Sequence, residues 1–222
     1  NFSGRIGEKL SLRLPYKFLG HSTNFTLFND DTNKLLPTEI DSGSVDHRIQ
    51  IFTIRKFLLE YLNFDIRRKI EPADWLTFPE QKLRTLAVGR GGGSFGGGGA
   101  VYHDETGLRE TLAEFEYYPE NVWLYLLAAG WNRIGQEEHL MGRAGSVGDE
   151  VGAAIIASRL VRDLMRLCFL MERQYAPYAK WFGKAFSLLG CAPALTPVFK
   201  KALSAETWRE REKFLAEGYE IV

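Results

Sequence analysis

From Leu108 to Val222 apolar residues recur at helical spacing, interrupted only by short stretches marked by glycine or proline. Such a pattern constrains this part of the chain to packed helices. After LRETLAEFEYY, Pro119 suits the first turn of a helix predicted over Glu120–Met141. The stretch Gly142 to Gly148 is expected to break it, and a second long helix is predicted over Asp149–Gln174. Pro177 starts a third, ending near Gly190, and Pro193 and Pro197 punctuate the passage to a short pair, Ala194–Leu203 and Ala205–Tyr219. Ser204 reads as the N-cap of the last helix. Because the connections are short, successive helices are expected to be antiparallel neighbours in a bundle.

The segment RLVRDLMRLCFLMERQYAPYAKW (Arg159 to Trp181), which holds the latter half of the second long helix, reads as the most apolar of the chain yet carries a charged stripe. At about 100° per residue, Leu160, Leu164, Leu167 and Met171 share one face, flanked by Val161, Met165 and Cys168. Arg159, Arg162, Asp163 and Arg166 fall together on the other side. On the preceding helix Trp123, Leu127, Trp131, Ile134 and Met141 form an apolar face with Glu138 in its middle. A carboxylate there is costly unless paired, and the arginines of the next helix are the expected partners. Two readings stand side by side. In one, an Arg–Glu network ties two antiparallel helices. In the other the stripe faces a cleft, where arginines hold phosphate or carboxylate groups bidentately. Three arginines against Asp163 leave a positive excess that Glu137 and Glu138 only just cancel.

The N-terminal part is less regular. LSLRL (Leu10–Leu14) and VDHRIQIFTI (Val45–Ile54) alternate apolar and polar residues, as half-buried strands do. Phe28 to Ser44 is rich in turn formers and reads as loop. RKFLLEYLNF (Arg55–Phe64) and DWLTFPEQKLRTLAV (Asp74–Val88) have helical spacing, the latter with Pro79 inside and a possible strand at its end. GRGGGSFGGGGA (Gly89–Ala100) fits G-x-G-x-x-G at Gly91, Gly93 and Gly96. The segment after it, AVYHDETG, reads as strand and turn rather than the helix a phosphate loop requires. The glycine block at 89–99 therefore reads as a linker or hairpin tip. The expected organisation is an α+β part over 1–107 and a helical bundle over 108–222.

Charge and cysteine content narrow the function classes. Lys plus Arg and Asp plus Glu are both 28, a formal net charge of zero. Whole-chain electrostatics thus give no nucleic-acid signal, although a local basic patch stays open. Cys168 and Cys191, the two cysteines, lack metal-ligand spacing and read as reduced core residues of a cytoplasmic protein. No apolar run is long enough to span a membrane. His21, His47, His103 and His139 are scattered without zinc spacing. Asp46-His47 and His103-Asp104-Glu105 are weak acid–base pairs, because neighbours on a strand point to opposite faces. Tyr175, Tyr178, Lys180 and Trp181 cluster around the Pro177 turn as an aromatic helix junction or a stacking platform. No G-x-S-x-G or Cys/His arrangement supports acyl transfer.

The run from YPENVWLYLLAAGWNRIG through RLVRDLMRL to YAPYAKWFGKAF (Tyr118–Phe186) resembles the helical region of the nucleotidyltransferase-like domain of unknown function 4037. A looser likeness extends over LPYKF, VDHRIQI, DWL, PEQ and WREREKFL. The resemblance implies a polymerase-β-like sheet followed by a helical bundle, with Mg²⁺ and nucleotide phosphates held by a Gly-Ser turn and an Asp-x-Asp pair. No Gly-Ser turn leading to such a pair occurs here. In the family those residues lie upstream of LPYKF, so a chain opening at Asn1 is expected to be a C-terminal portion that is inactive alone. The resemblance further implies transfer of a nucleoside monophosphate from a nucleoside triphosphate to an unknown acceptor. Asp46, Glu138 and Asp163 are its candidate catalytic carboxylates, and Arg159, Arg162, Arg166 and Lys180 its phosphate-binding candidates. A non-catalytic helical module that binds a ligand or protein is the alternative.

Overall fold

Ile6, Leu10 and Leu14 stand four residues apart and are half-buried, with Gly7 and Ser11 beside them on the same face. That period is helical, and in the computed structural model, which describes residues 2–27, 35–87 and 100–222, they belong to helix α1 (Phe2–Arg13) and its end. LSLRL is therefore helical, not a strand: the alternation visible in five residues is the local trace of a longer 3.6-residue period. Two short antiparallel hairpins follow. Strands β1 (Lys17–Phe18) and β2 (His21–Ser22) pair, and β3 (Phe25–Leu27) pairs with β4 (Leu35–Pro37). The strand β4 lies inside the stretch expected to be loop, of which residues 28–34 lie outside the described residues.

Residues 44–53 form no strand. Val45 is buried and donates to Ser11 O, while the Asp46 peptide bridges to the second hairpin, its N–H donating to Asn24 Oδ1 and its C=O accepting from Phe25. Arg48 then takes a left-handed backbone (φ 54°), which ends any extended ladder. Helix α2 (Ile54–Leu62) follows as expected. Thr53 caps it by accepting from Lys56 N, and Asn63 closes it in the left-handed conformation. Asn1–Arg67 form one compact unit and Arg68–Val222 a second.

In the second unit Pro79 divides the predicted segment in two: α3 (Pro72–Thr77) ends before it, and α4 (Glu80–Leu86) starts after it. Proline forces the preceding residue out of helical conformation, and Phe78 is extended. The possible strand at the end of this segment and the glycine block lie outside the described residues. Residues 100–104 carry no strand. Helix α5 (Leu108–Ala113) leads to α6 (Glu120–Ser146) and α7 (Glu150–Met171). A 3-10 turn (Ala179–Trp181), α8 (Phe182–Phe186), α9 (Ala192–Ser204) and α10 (Trp208–Ile221) complete the unit.

Helix α6 runs through Gly142 and Gly145 instead of breaking there. The break comes at Gly148, whose φ is 86°. Gly145 serves packing: a Cβ there would collide with the Trp208 ring, so its absence lets α10 approach α6. Asp149 caps α7 by accepting from Gly152 N. The cap of α10 is Thr207, which with Glu210 forms a capping box, rather than Ser204, the last residue of α9. The core is centred on α7, whose Ala153, Ala157, Leu160, Leu164, Leu167 and Cys168 are buried against α6, α9 and α10. The predominantly helical chain with its small antiparallel hairpins is of the α+β kind. Among the described residues no helix is long and apolar enough to cross a membrane.

Candidate functional site

Helices α6 and α7 run antiparallel. Trp123 near the start of α6 donates to Leu170 O near the end of α7 (2.8 Å), and Glu137 further along α6 meets Arg159 near the middle of α7. Between these anchors lies a ladder of charges. Arg133 Nε donates to Asp163 Oδ2 at 2.6 Å, and Arg133 Nη2 stands 3.7 Å from Glu137 Oε1, the oxygen that also accepts from Arg159. Arg162 approaches Asp163 Oδ1 only to 3.6 Å, beyond hydrogen-bond length. The Asp163 side chain is 7% exposed and that of Arg162 60%. The hydrogen bond that Arg133 donates to the Asp163 carboxylate holds its guanidinium above the usual pKa.

This geometry corrects one expectation. Glu138 is exposed and makes no ion pair among the described residues; its neighbour Glu137 takes the interhelical place. Ile134 and Met141 are buried as expected, whereas Trp131 turns to the surface. Glu137 lies one turn from Ile134 and from Met141, and Arg133 one turn before it, so an i,i+4 Arg–Glu pair was the signal on α6. The network reading thus describes Arg159 and Asp163 well, with Arg133 as the partner that sequence reasoning overlooked.

Arg166, one turn beyond Arg162, leaves the ladder for a second cluster. Its Nη2 donates to Glu80 Oε2 at 2.7 Å, while Glu80 Oε1 accepts from Ala176 N at 2.9 Å. Arg84, one turn after Glu80 on α4, is buried and donates to Tyr175 O. Around them Trp75, Phe78, Phe115, Tyr117, Tyr118 and Tyr175 pack ring against ring. Burial, and next the Glu80 charge, push the Tyr117 and Tyr118 hydroxyls far above the usual phenol range, so neither serves as a base near neutrality. At the end of α7, Arg173 has a left-handed backbone (φ 52°) and lays its guanidinium 3.5 Å from the centre of the Trp123 ring.

The other candidates stand apart. Lys180 is exposed, 5.1 Å over the Trp181 ring; within the junction around it Tyr175 is buried in the aromatic packing, whereas Tyr178 is exposed. Asp46 belongs to the first compact unit, where its half-exposed carboxylate pairs with Arg48 at 2.8 Å. Asp163, Arg159 and Arg162 are therefore brought together, with Arg166 following along the same helix. Among the described residues no three His, Cys, Asp or Glu side chains are placed to hold a metal ion. Asp163 and Glu137 already serve arginines. This donor set does not fit Mg²⁺.

Neither a curated protein nor a solved structure matches the chain. A family model described as a domain of unknown function, DUF4037, matches residues 75–182. The match runs from Trp75 on α3 to Phe182 on α8 and so contains the whole charge ladder, Glu80, Arg173 and Lys180. Residues 75–182 of the chain belong to the family of the domain of unknown function DUF4037.

Proposed function

We propose that the second unit forms the phosphate-facing helical wall of a nucleotidyltransferase, an enzyme moving a nucleoside monophosphate from a nucleoside triphosphate to an acceptor. The observation that carries this reading is Arg162. Its guanidinium stands out from a ladder in which Asp163 is buried and held by Arg133. An arginine kept on a rigid helix with its donors open is built to meet an anion. Arg166 lies one turn further on, with one carboxylate partner and further donors to offer. The polymerase-β-like character of the first unit, the role of Asp46 there and a cytoplasmic location belong to the same proposal. The free thiols Cys168 and Cys191 support that location. Mg²⁺ is expected to accompany the nucleotide. Because the described carboxylates do not fit it, no step is assigned to Glu138 or Asp163 through the metal.

The test is calorimetric titration of the protein in its native length with each Mg-nucleoside triphosphate. Wild type is expected to bind at least one of them, and Arg162→Ala to weaken that binding about 10-fold, the worth of one charge-assisted contact, without lowering the melting temperature. Absence of binding to all four triphosphates sinks the reading. The alternative, a helical interaction module, would then stand, favoured by the pairing of Arg159 and Arg166 within the protein and by the exposed Leu124, Trp131, Val151 and Ile155 on α6 and α7.

A further inference from the structure

We infer that the arginine stripe of α7, continued by Arg173 past the helix end, is a binding strip for the phosphodiester backbone of a single-stranded nucleic acid. Such a strand would be the acceptor in the transfer proposed above, and its role as acceptor rests on that reading. The strip itself rests on charge and spacing. Arg159, Arg162 and Arg166 stand at positions i, i+3 and i+7, which return to one side of α7 over about 10 Å, and Arg173 follows two residues past the end of the helix. Arg133 joins them from α6.

Against these five guanidiniums, the carboxylates paired to them among the described residues are three: Glu137, Asp163 and Glu80. Two positive charges are left over, and the structure shows where. Among the described residues Arg162 comes no nearer to a carboxylate than 3.6 Å. Arg173 has no ion pair among the described residues and is held instead by the Trp123 ring. The open cations thus lie toward the middle and at the end of the strip, with the half-exposed Arg166 between them. Arg173 also occupies a left-handed backbone position that favours glycine or asparagine, so this position keeps a cationic side chain at a cost of about 1 kcal/mol.

The residue type narrows the ligand. Helices α6 and α7 carry arginines and no lysine. Pairing to the largely buried carboxylates Asp163 and Glu137 explains that choice at Arg133 and Arg159 but not at Arg162, which hydrogen-bonds to neither. A planar fork matches a phosphate bidentately, and guanidinium planes can stack against splayed bases. A chain of zero formal net charge offers one narrow strip rather than the broad basic face that a duplex attracts. A single strand fits that width.

The experiment is fluorescence anisotropy of a labelled oligouridylate of about 12 nucleotides with the whole chain at about 50 mM salt. Saturable binding that weakens with salt is expected. Arg162→Ala and Arg173→Gly should each weaken it about 5-fold and lower the salt slope by about 0.7, the value of one single-strand phosphate contact. Glycine suits the left-handed backbone at position 173, so that variant loses the cation while keeping its fold, as a melting curve would verify. No binding by wild type overturns the inference, as does a double variant, Arg162→Glu with Arg173→Gly, that binds like wild type. Equal competition by polyglutamate overturns it in favour of an acidic-peptide site. The triphosphate titrations decide the other reading separately. Oligonucleotide binding without nucleotide binding keeps the strip and removes the transferase. The reverse result removes the strip alone.

Discussion

Asp163 is the residue on which the α6–α7 ladder turns. It is buried, it stands among arginines, and its short hydrogen bond goes to Arg133 on the other helix rather than to Arg162 beside it. Removing a buried carboxylate strands the partner's donor, although Arg133 is half-exposed and recovers part of the loss from water. Asp163→Ala is therefore expected to cost about 2 kcal/mol in urea unfolding, with a coupling to Arg133→Ala of about 1 kcal/mol in a double-mutant cycle. Glu138→Ala, on an exposed side chain without an ion pair, should change stability by less than about 0.5 kcal/mol. Equal losses at positions 138 and 163 would show the ladder to be misassigned. The need for a carboxylate opposite the arginines was legible in the sequence, but its position was not. Glu137 and Glu138 differ by one step of about 100° around the helix, and only the approach of α7 decides which of them faces it.

At the scale of elements, what the sequence reveals depends on length. The long helices α6 and α7 and the last pair were legible because their apolar period repeats over many turns. The short alternating segments were not: LSLRL is the end of α1, and residues 44–53 are irregular, tied to a hairpin by the Asp46 peptide and turned by Arg48. Glycine misled in the same way. Gly142 and Gly145 read as helix breakers, yet both lie inside α6, and at Gly145 the missing side chain makes room for Trp208 on α10. That contact makes two glycines of one helix respond oppositely to the same change. Gly145→Ala drives a methyl into Trp208, and overpacking of this kind costs about 1–3 kcal/mol, more than the helix propensity gained. Gly135→Ala meets nothing within 4 Å and should stabilise α6 by about 0.5–1 kcal/mol. Thermal melts of the two variants read the difference directly, and a gain at both positions would remove Trp208 from the account of why α6 continues.

For the molecule as a whole, the balance of 28 basic and 28 acidic residues holds only while the carboxylates are ionised. Several of them are tied to the fold in that form. In the first unit the Arg55 and Arg67 guanidiniums hold Asp65 far below the usual carboxylate range. In the second, Arg68 lowers Asp74. The backbone N–H groups of Arg109, Thr106 and Leu108 bring Asp104 down from 3.8 to about 2. At Glu172, burial opposes the charge, but the N–H groups of Cys191 and Gly190 outweigh it and hold this carboxyl low as well. Each group binds its proton less readily in the folded chain than in the unfolded one. Its contribution is therefore complete above the unfolded value, near 4, and disappears as pH falls through the folded value. Asp65 and Asp104 lie half-buried at the surface, so solvent screening makes each contribution small. They act in the same direction, however, and acidification also leaves the basic residues without counter-charge, so repulsion adds to the loss. The expected urea midpoint is flat between about pH 7 and 5 and declines between about pH 4 and 2. Asp104→Asn should shallow that decline while lowering the midpoint at neutral pH. A midpoint that holds steady down to the acid end would mean that these carboxylates are as free in the folded protein as in the unfolded chain.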